Sequence, residues 1–180
     1  MEYRDHKALT PAPLTVGERS RASDGVRAFY EGGNLVDITL REITKDNWRE
    51  CAKLKVSPDQ EDFVAPNLYS IAESKFEPEW TPLAVYCGEA LVGFTMYGRD
   101  DRDDSYWIIR LMVDQAYQGR GYGRAAMEQV IRQLKEKPDC HEIRISFAPE
   151  NRQAEKLYLG LGFEHTGLVE EGEVVLRLGG

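Results

Sequence analysis

Cysteine is scarce in this sequence and nowhere paired. Cys51, Cys87 and Cys140 are odd in number, widely spaced and never form a C-x-x-C motif, which excludes a disulfide framework and a thiolate zinc site as organising devices. Such a chain suits a reducing cytoplasm, and a cytoplasmic location is expected. Histidine is equally sparse. His6, His141 and His165 share no i, i+4 spacing, and His141 follows Cys140 on an expected strand, where adjacent side chains point to opposite faces. No metal is expected. An apolar run of the roughly 18 residues needed to cross a bilayer is missing. The start Met1-Glu2-Tyr3-Arg4-Asp5-His6 is followed by no hydrophobic signal core, so no membrane association is expected. Basic excess is lacking too. Lys and Arg total 23 against 31 Asp and Glu, a net charge of −8, which argues against nucleic-acid binding through basic stripes. An acidic surface suits a cationic substrate, although most such carboxylates serve solubility.

What is present is enough for one core: 180 residues, 42% of them hydrophobic. Residues 1–36 mix Pro11, Pro13, Gly17, Gly25, Gly32 and Gly33 with scattered charges and show no sustained periodicity. They read as an N-terminal extension, a flexible arm or an appended leader, with one short amphipathic piece at 26–30. A single domain is expected over 37–180.

Within it, 37–43 alternates as a strand, and Thr44 offers an N-cap to a helix carrying Trp48, Cys51, Ala52 and Leu54. Asn67 offers a second cap, to a helix whose apolar face comprises Leu68, Ile71, Ala72 and Phe76. Residues 83–87 and 91–97 read as a β-hairpin, and 105–114 as a third antiparallel strand. Met127, Val130, Ile131 and Leu134 recur at helical spacing from Gly121 to before Pro138. Ile143, Ile145 and Phe147 alternate as a strand. Ala154, Leu157, Tyr158 and Leu161 stripe a further helix from Asn151, and a final hairpin surrounds Glu170-Glu171-Gly172-Glu173. This order defines an α+β fold: a mixed, mostly antiparallel twisted sheet of about six to seven strands, flanked by helices and containing one β-α-β crossover.

The informative segment joins the third of those antiparallel strands to the crossover helix. Gly119, Gly121 and Gly123 fall within five positions, flanked by Gln118, Arg120, Tyr122 and Arg124. Glycines permit positive φ and close backbone approach, and free N–H groups at a helix start favour a phosphate. A simple tight turn is the plainest alternative. A dinucleotide fingerprint is another, since Gly121-Tyr122-Gly123-Arg124-Ala125-Ala126 satisfies G-x-G-x-x-A. Three antiparallel strands before the turn and a single crossover after it count against that alternative.

Gln118-Gly119-Arg120-Gly121-Tyr122-Gly123 resembles the Q/R-x-x-G-x-G/A loop of the GCN5-related N-acetyltransferase (GNAT) superfamily. Asn151-Arg152-Gln153-Ala154-Glu155-Lys156-Leu157-Tyr158-Leu159-Gly160-Leu161-Gly162-Phe163 resembles that family's second signature, N-x-x-A-x-x-L-Y-x-x-x-G-F. The stretches 91–98 and 110–114 look most like bacterial spermine/spermidine (diamine) acetyltransferases. The resemblance covers about 38–178 and implies a GNAT-like domain whose two parallel strands splay to admit acetyl-CoA. It implies that Gln118, Gly119, Arg120, Gly121, Tyr122, Gly123 and Arg124 grip the pyrophosphate, and that the backbone of Leu111, Met112 and Val113 holds the pantetheine arm. Asn151 would contact the cofactor and Tyr158 would protonate the leaving sulfur. The acceptor implied is a small-molecule primary amine, with a polyamine such as spermidine or spermine as the specific expectation. Alternatives are a peptide, protein or antibiotic amine, or a non-catalytic acyl-CoA-binding module, against which Tyr158 argues. Spermidine-type relatives often carry a carboxylate base on the strand before the loop. Here that strand has Trp107-Ile108-Ile109-Arg110, leaving a water relay; Glu61, Asp62, Glu73, Glu77 and Glu79, in the region that shapes the acceptor site, and the acidic tip Asp100 to Asp104 are candidate substrate anchors. Pairing of the family through C-terminal strands makes 174–178 an expected edge strand of a homodimer.

Overall fold

The structure, a computed structural model, describes residues 26–29, 35–100, 102 and 104–179. Strands β1 (Val26–Phe29) and β2 (Leu35–Glu42) precede helices α1 (Trp48–Lys53) and α2 (Asn67–Glu73), with a 3-10 turn, Pro58–Phe63, between the helices. Strands β3 (Trp80–Cys87), β4 (Ala90–Asp100) and β5 (Ser105–Val113) follow, then a 3-10 turn, Gln115–Tyr117, and helix α3 (Tyr122–Lys135). The chain continues through β6 (Glu142–Phe147), α4 (Arg152–Leu159), β7 (Glu164–Glu170) and β8 (Glu173–Gly179). The strands form one sheet in the order β1-β2-β3-β4-β5-β6-β8-β7. Among the described strands only β5 and β6 run parallel, across the α3 crossover.

The burial pattern explains why these segments are strands and helices. In β6, Ile143, Ile145 and Phe147 are buried while Glu142, Arg144 and Ser146 are only partly so, as expected of a strand with two unlike faces. Central β4 is buried continuously from Val92 to Met96 because both of its faces are covered. One core packs α3 and α4 on the sheet through Met127, Val130, Leu134, Ile143, Ile145 and Tyr158. The other lies under α1 and α2 and holds Cys51, Ala84, Phe94, Met96 and Met112. Each fully buried large side chain in them contributes roughly 1.5–3 kcal/mol. Gln129, buried on α3, donates from Nε2 to the Ile38 carbonyl and ties the crossover helix to β2.

Several expectations are corrected. Val26–Phe29, inside the stretch read as an extension, pairs with β2 and brings the sheet to eight strands; residues 1–25 of that stretch lie outside the described residues. Asn47, not Thr44, occupies the cap position of α1, because the Thr44 hydroxyl is spent on the Asp46 amide at 3.2 Å within the preceding turn. In α2 the buried residues are Asn67 and Ser70, whereas Leu68 and Phe76 are 54% and 83% exposed. Asn67 is the first helical residue, not a cap. Its Nδ2 donates to the Cys51 carbonyl at 2.9 Å, so a polar tie takes the inner face. Strand β8 bonds to both β6 and β7, so the C-terminal edge is β7 and not 174–178.

Two irregularities prepare the site. Met96 pairs with Arg110 but Tyr97 with Ile108, which makes Ile109 an extra residue on β5, a bulge of the kind that re-aims side chains beside functional sites. Beyond it β5 and β6 part: their pairing runs only from Tyr106↔Ile143 to Ile108↔Ile145. β8 holds β6 away through Ser146↔Val175 and Phe147↔Val174. The resulting wedge is open between 109–113 of β5 and the end of β6.

Candidate active site

A cavity of about 970 Å³ occupies this wedge and passes from the start of α3 to the far face of the sheet. At one end it is floored by a helix terminus. Gly121, in the left-handed region at φ 79°, is the cap residue of α3 and makes no side-chain cap, so the first-turn amides have no side-chain acceptor. Gly119 has φ 74°, and a Cβ there would meet nothing within 4 Å. A Cβ on Gly123 would meet only Val113 Cγ2, at 3.5 Å. Open backbone, positive φ and unsatisfied N–H groups at a 14-residue helix make this a fit for a phosphate group.

Neighbouring side chains fix the loop. Gln118 Nε2 donates to the Val113 carbonyl at 3.0 Å and to Gln60 Oε1 at 2.8 Å, and Gln60 in turn donates to Gln153 Oε1 at 3.3 Å. That chain of amides links the turn, the loop and α4. Arg124 Nη2 donates to the Gly160 carbonyl at 3.1 Å, joining α3 to the end of α4. Asn151 caps α4, its Oδ1 accepting from the Ala154 amide at 3.1 Å.

Tyr158 enters the wedge from α4. It is 7% exposed, with its ring 6.2 Å from Phe147 in an edge-on arrangement and 6.2 Å from Phe163. Burial, and secondarily the negative charge of Glu173, hold its phenol well above the usual tyrosine range. At neutral pH the Tyr158 phenol is therefore protonated.

The lining is rich in carboxylates. Glu61, Asp62, Glu73, Asp100, Glu170, Glu171 and Glu173 contribute to it, together with Arg99, Arg102 and Arg110. Arg110 and Glu73 pair at 3.5 Å, both largely buried. Asp100 is held below the ordinary carboxylate range by the Arg102 guanidinium, which bonds it at 2.6 Å. Among the described residues no group of three or more His, Cys, Asp or Glu is arranged to hold a metal ion, and no helix is long and apolar enough to cross a membrane.

The expected site residues converge here. Leu111, Met112, Val113, Gln118, Gly119, Gly121, Tyr122, Gly123, Arg124, Asn151 and Tyr158 all line the one cavity. Arg120 does not: its Nη2 donates to the Ala116 carbonyl at 3.1 Å and its guanidinium lies 5.6 Å from the Tyr117 ring. Of the candidate acids, Glu61, Asp62, Glu73 and Asp100 reach the cavity while Glu77 and Glu79 do not. Residues 101 and 103 lie outside the described residues. Sequence reasoning missed Glu170, Glu171 and Glu173, which read as a polar hairpin turn, and Gln60. The cue that β8 inserts beside β6 is topological, not local.

The matched family model describes the "Acetyltransferase (GNAT) family" and spans residues 39–163. The chain therefore belongs to this family of acetyl-CoA-dependent N-acetyltransferases. A spermine/spermidine N(1)-acetyltransferase of Bacillus subtilis is 29% identical over 148 residues, covering 78% of this chain and 97% of the relative. The spermidine N-acetyltransferase of Vibrio cholerae, solved in complex with CoA and spermine, superposes with a TM-score of 0.63 at 20% identity, over 78% of this chain and 92% of that one. The aminoglycoside acetyltransferase AAC(6')-Ib in complex with coenzyme A gives a TM-score of 0.68 at 15% identity, over 79% and 95%. These two solved structures share the fold.

Proposed function

We propose that the chain acetylates a primary amine of a small polyamine, such as spermidine or spermine, by direct attack on acetyl-CoA. The observation that carries this reading is the polarity of the cavity. An uncapped helix terminus, a buried phenol and seven carboxylates share its lining. An anion-binding helix terminus and a carboxylate-rich lining beside a phenol suit a phosphorylated donor and a multiply charged amine. The likeness to a spermine/spermidine acetyltransferase supports the same acceptor.

When bound, acetyl-CoA supplies the thioester carbon that the amine attacks. The amides of 118–124 bind its pyrophosphate, with Arg124 adding charge from the first turn of α3. The backbone of Leu111, Met112 and Val113, beyond the Ile109 bulge, aligns the pantetheine arm, and an N–H there polarises the carbonyl. Asn151 contacts the arm from α4. Tyr158 gives its proton to the departing sulfur.

Release of free CoA, followed with a panel of polyamines, aminoglycosides, amino acids and peptides, tests the reading. Turnover strongest on spermidine and spermine is expected. Turnover confined to peptides or aminoglycosides would replace the polyamine, and none with any amine would leave only an acyl-CoA-binding module.

A further inference from the structure

The transfer needs a group to take a proton from the substrate ammonium, and β5 carries no acid in the wedge. Register supplies one from elsewhere. Ser146 of β6 pairs with Val175 of β8, so Glu173, two residues back along β8, is its diagonal neighbour on the same face of the sheet. The contact is made: Ser146 Oγ donates to Glu173 Oε2. Ser146 is also the first β6 residue beyond the last β5–β6 pair, Ile108↔Ile145, and so stands where the two strands part. Phe147, the next residue, turns to the other face and packs on Tyr158. Glu173 and Tyr158 thus approach one opening from opposite faces of the sheet, and both line the cavity. Their proximity registers electrostatically, since the Glu173 charge is one cause of the raised Tyr158 phenol.

We propose that Glu173 is the base of the reaction, its carboxylate receiving the proton that the acceptor ammonium sheds before attack, with Ser146 as its positioning residue. The inference rests on the acetyl-transfer reading above. The proton balance closes. The ammonium loses one proton to Glu173, and the freed nitrogen lone pair forms the C–N bond as the C–S bond breaks. Sulfur takes the Tyr158 proton, the new amide nitrogen returns one to Tyr158, and Glu173 releases its own to solvent. The Glu170 and Glu171 carboxylates of the same hairpin, Arg99 and Asp100 of β4, Arg102 beyond it and Arg110 of β5 share the cavity with Glu173. Arg144, on the same face of β6, is engaged by Glu142 at 2.6 Å.

The test is kcat and KM against pH for the full chain and for Glu173→Gln, Glu173→Asp and Ser146→Ala, with saturating acetyl-CoA. Glu173→Gln is expected to lower kcat about 10²-fold or more, to leave CoA affinity unchanged, and to abolish the acid limb of the kcat/KM profile. Glu173→Asp should restore part of the rate, and Ser146→Ala should shift that limb without abolishing it. A Glu173→Gln enzyme with parental kcat and only a raised amine KM would overturn the proposal, making Glu173 an anchor. If Glu173→Gln fails to fold, a parental kcat in Glu173→Asp, whose shorter side chain withdraws the carboxylate, overturns it equally. Failure of the polyamine reading shows separately, as parental enzyme inactive on spermidine but active on another amine; the variants are then compared on that amine.

Discussion

At the scale of single residues, burial is the main influence on the titrating groups in the core. Tyr158 sits on the stripe that packs α4, and the same burial that makes it a core residue keeps its proton in place at neutral pH. Tyr158→Phe removes the phenol proposed as proton donor while keeping the packing. It should lower kcat by about 10²–10⁴-fold, with calorimetric CoA affinity unchanged; parental turnover would end the donor role. Burial also pushes the Cys51 thiol up to about 12. Both groups hold their protons more tightly folded than unfolded. Their stabilising contribution is therefore complete below the unfolded values, about 8.5 for a thiol and about 10 for a phenol, and is lost as pH rises through the folded ones. Denaturant midpoints should be level near neutrality and decline steadily from about pH 9 upward, with a shallower decline in Cys51→Ala. A midpoint unmoved through the alkaline range would contradict this.

Elements, not residues, aim these groups, and the glycines at the start of α3 show how. Gly121 adopts φ 79°, where an alanine costs about 1–2 kcal/mol, whereas Gly123 is helical with room for a Cβ 3.5 Å from Val113. Gly121→Ala should lower the melting temperature and raise the acetyl-CoA KM more than it lowers kcat. Gly123→Ala should fold as well as the parent and keep its KM near the parental value. Equal behaviour of the two variants would show that positive φ is not what the loop requires. The loop was legible in the sequence because its chemistry is local: glycine spacing, a helix start and flanking cations lie within one turn. The alternation of β6 and the stripe of α4 were legible for the same reason. The inner face of α2 was not. Asn67 and Ser70 are polar; the Asn67 bond to the Cys51 carbonyl, from a different helix, offsets the burial of Asn67, while the buried Ser70 hydroxyl finds no hydrogen-bond partner among the described residues. Glu173 was hidden for a related reason. Its hairpin reads as a solvated turn until β8 is seen to lie between β6 and β7.

Over the whole molecule, the net charge of −8 and the carboxylates that line the cavity set the field that a charged substrate meets before any contact forms. Acetyl-CoA is anionic and the proposed acceptor cationic, and salt weakens the attraction of each to the protein. Screening lengths shrink from about 10 Å at 0.1 M to about 3 Å at 1 M, which weakens attraction of a polycation to a carboxylate-lined mouth more than that of a singly charged amine. With acetyl-CoA held saturating, so that its own phosphate contacts do not limit the rate, the spermidine KM should climb steeply with salt. The KM of a monoamine of similar length should climb gently, and kcat for both should stay level. Neutralising the rim as Glu170→Gln with Glu171→Gln should flatten the spermidine slope toward the monoamine's without touching Tyr158 or the α3 terminus. Parallel salt slopes for the two amines in the parental enzyme would mean that the carboxylate-rich lining recognises one ammonium at a time and that the remaining carboxylates serve only solubility.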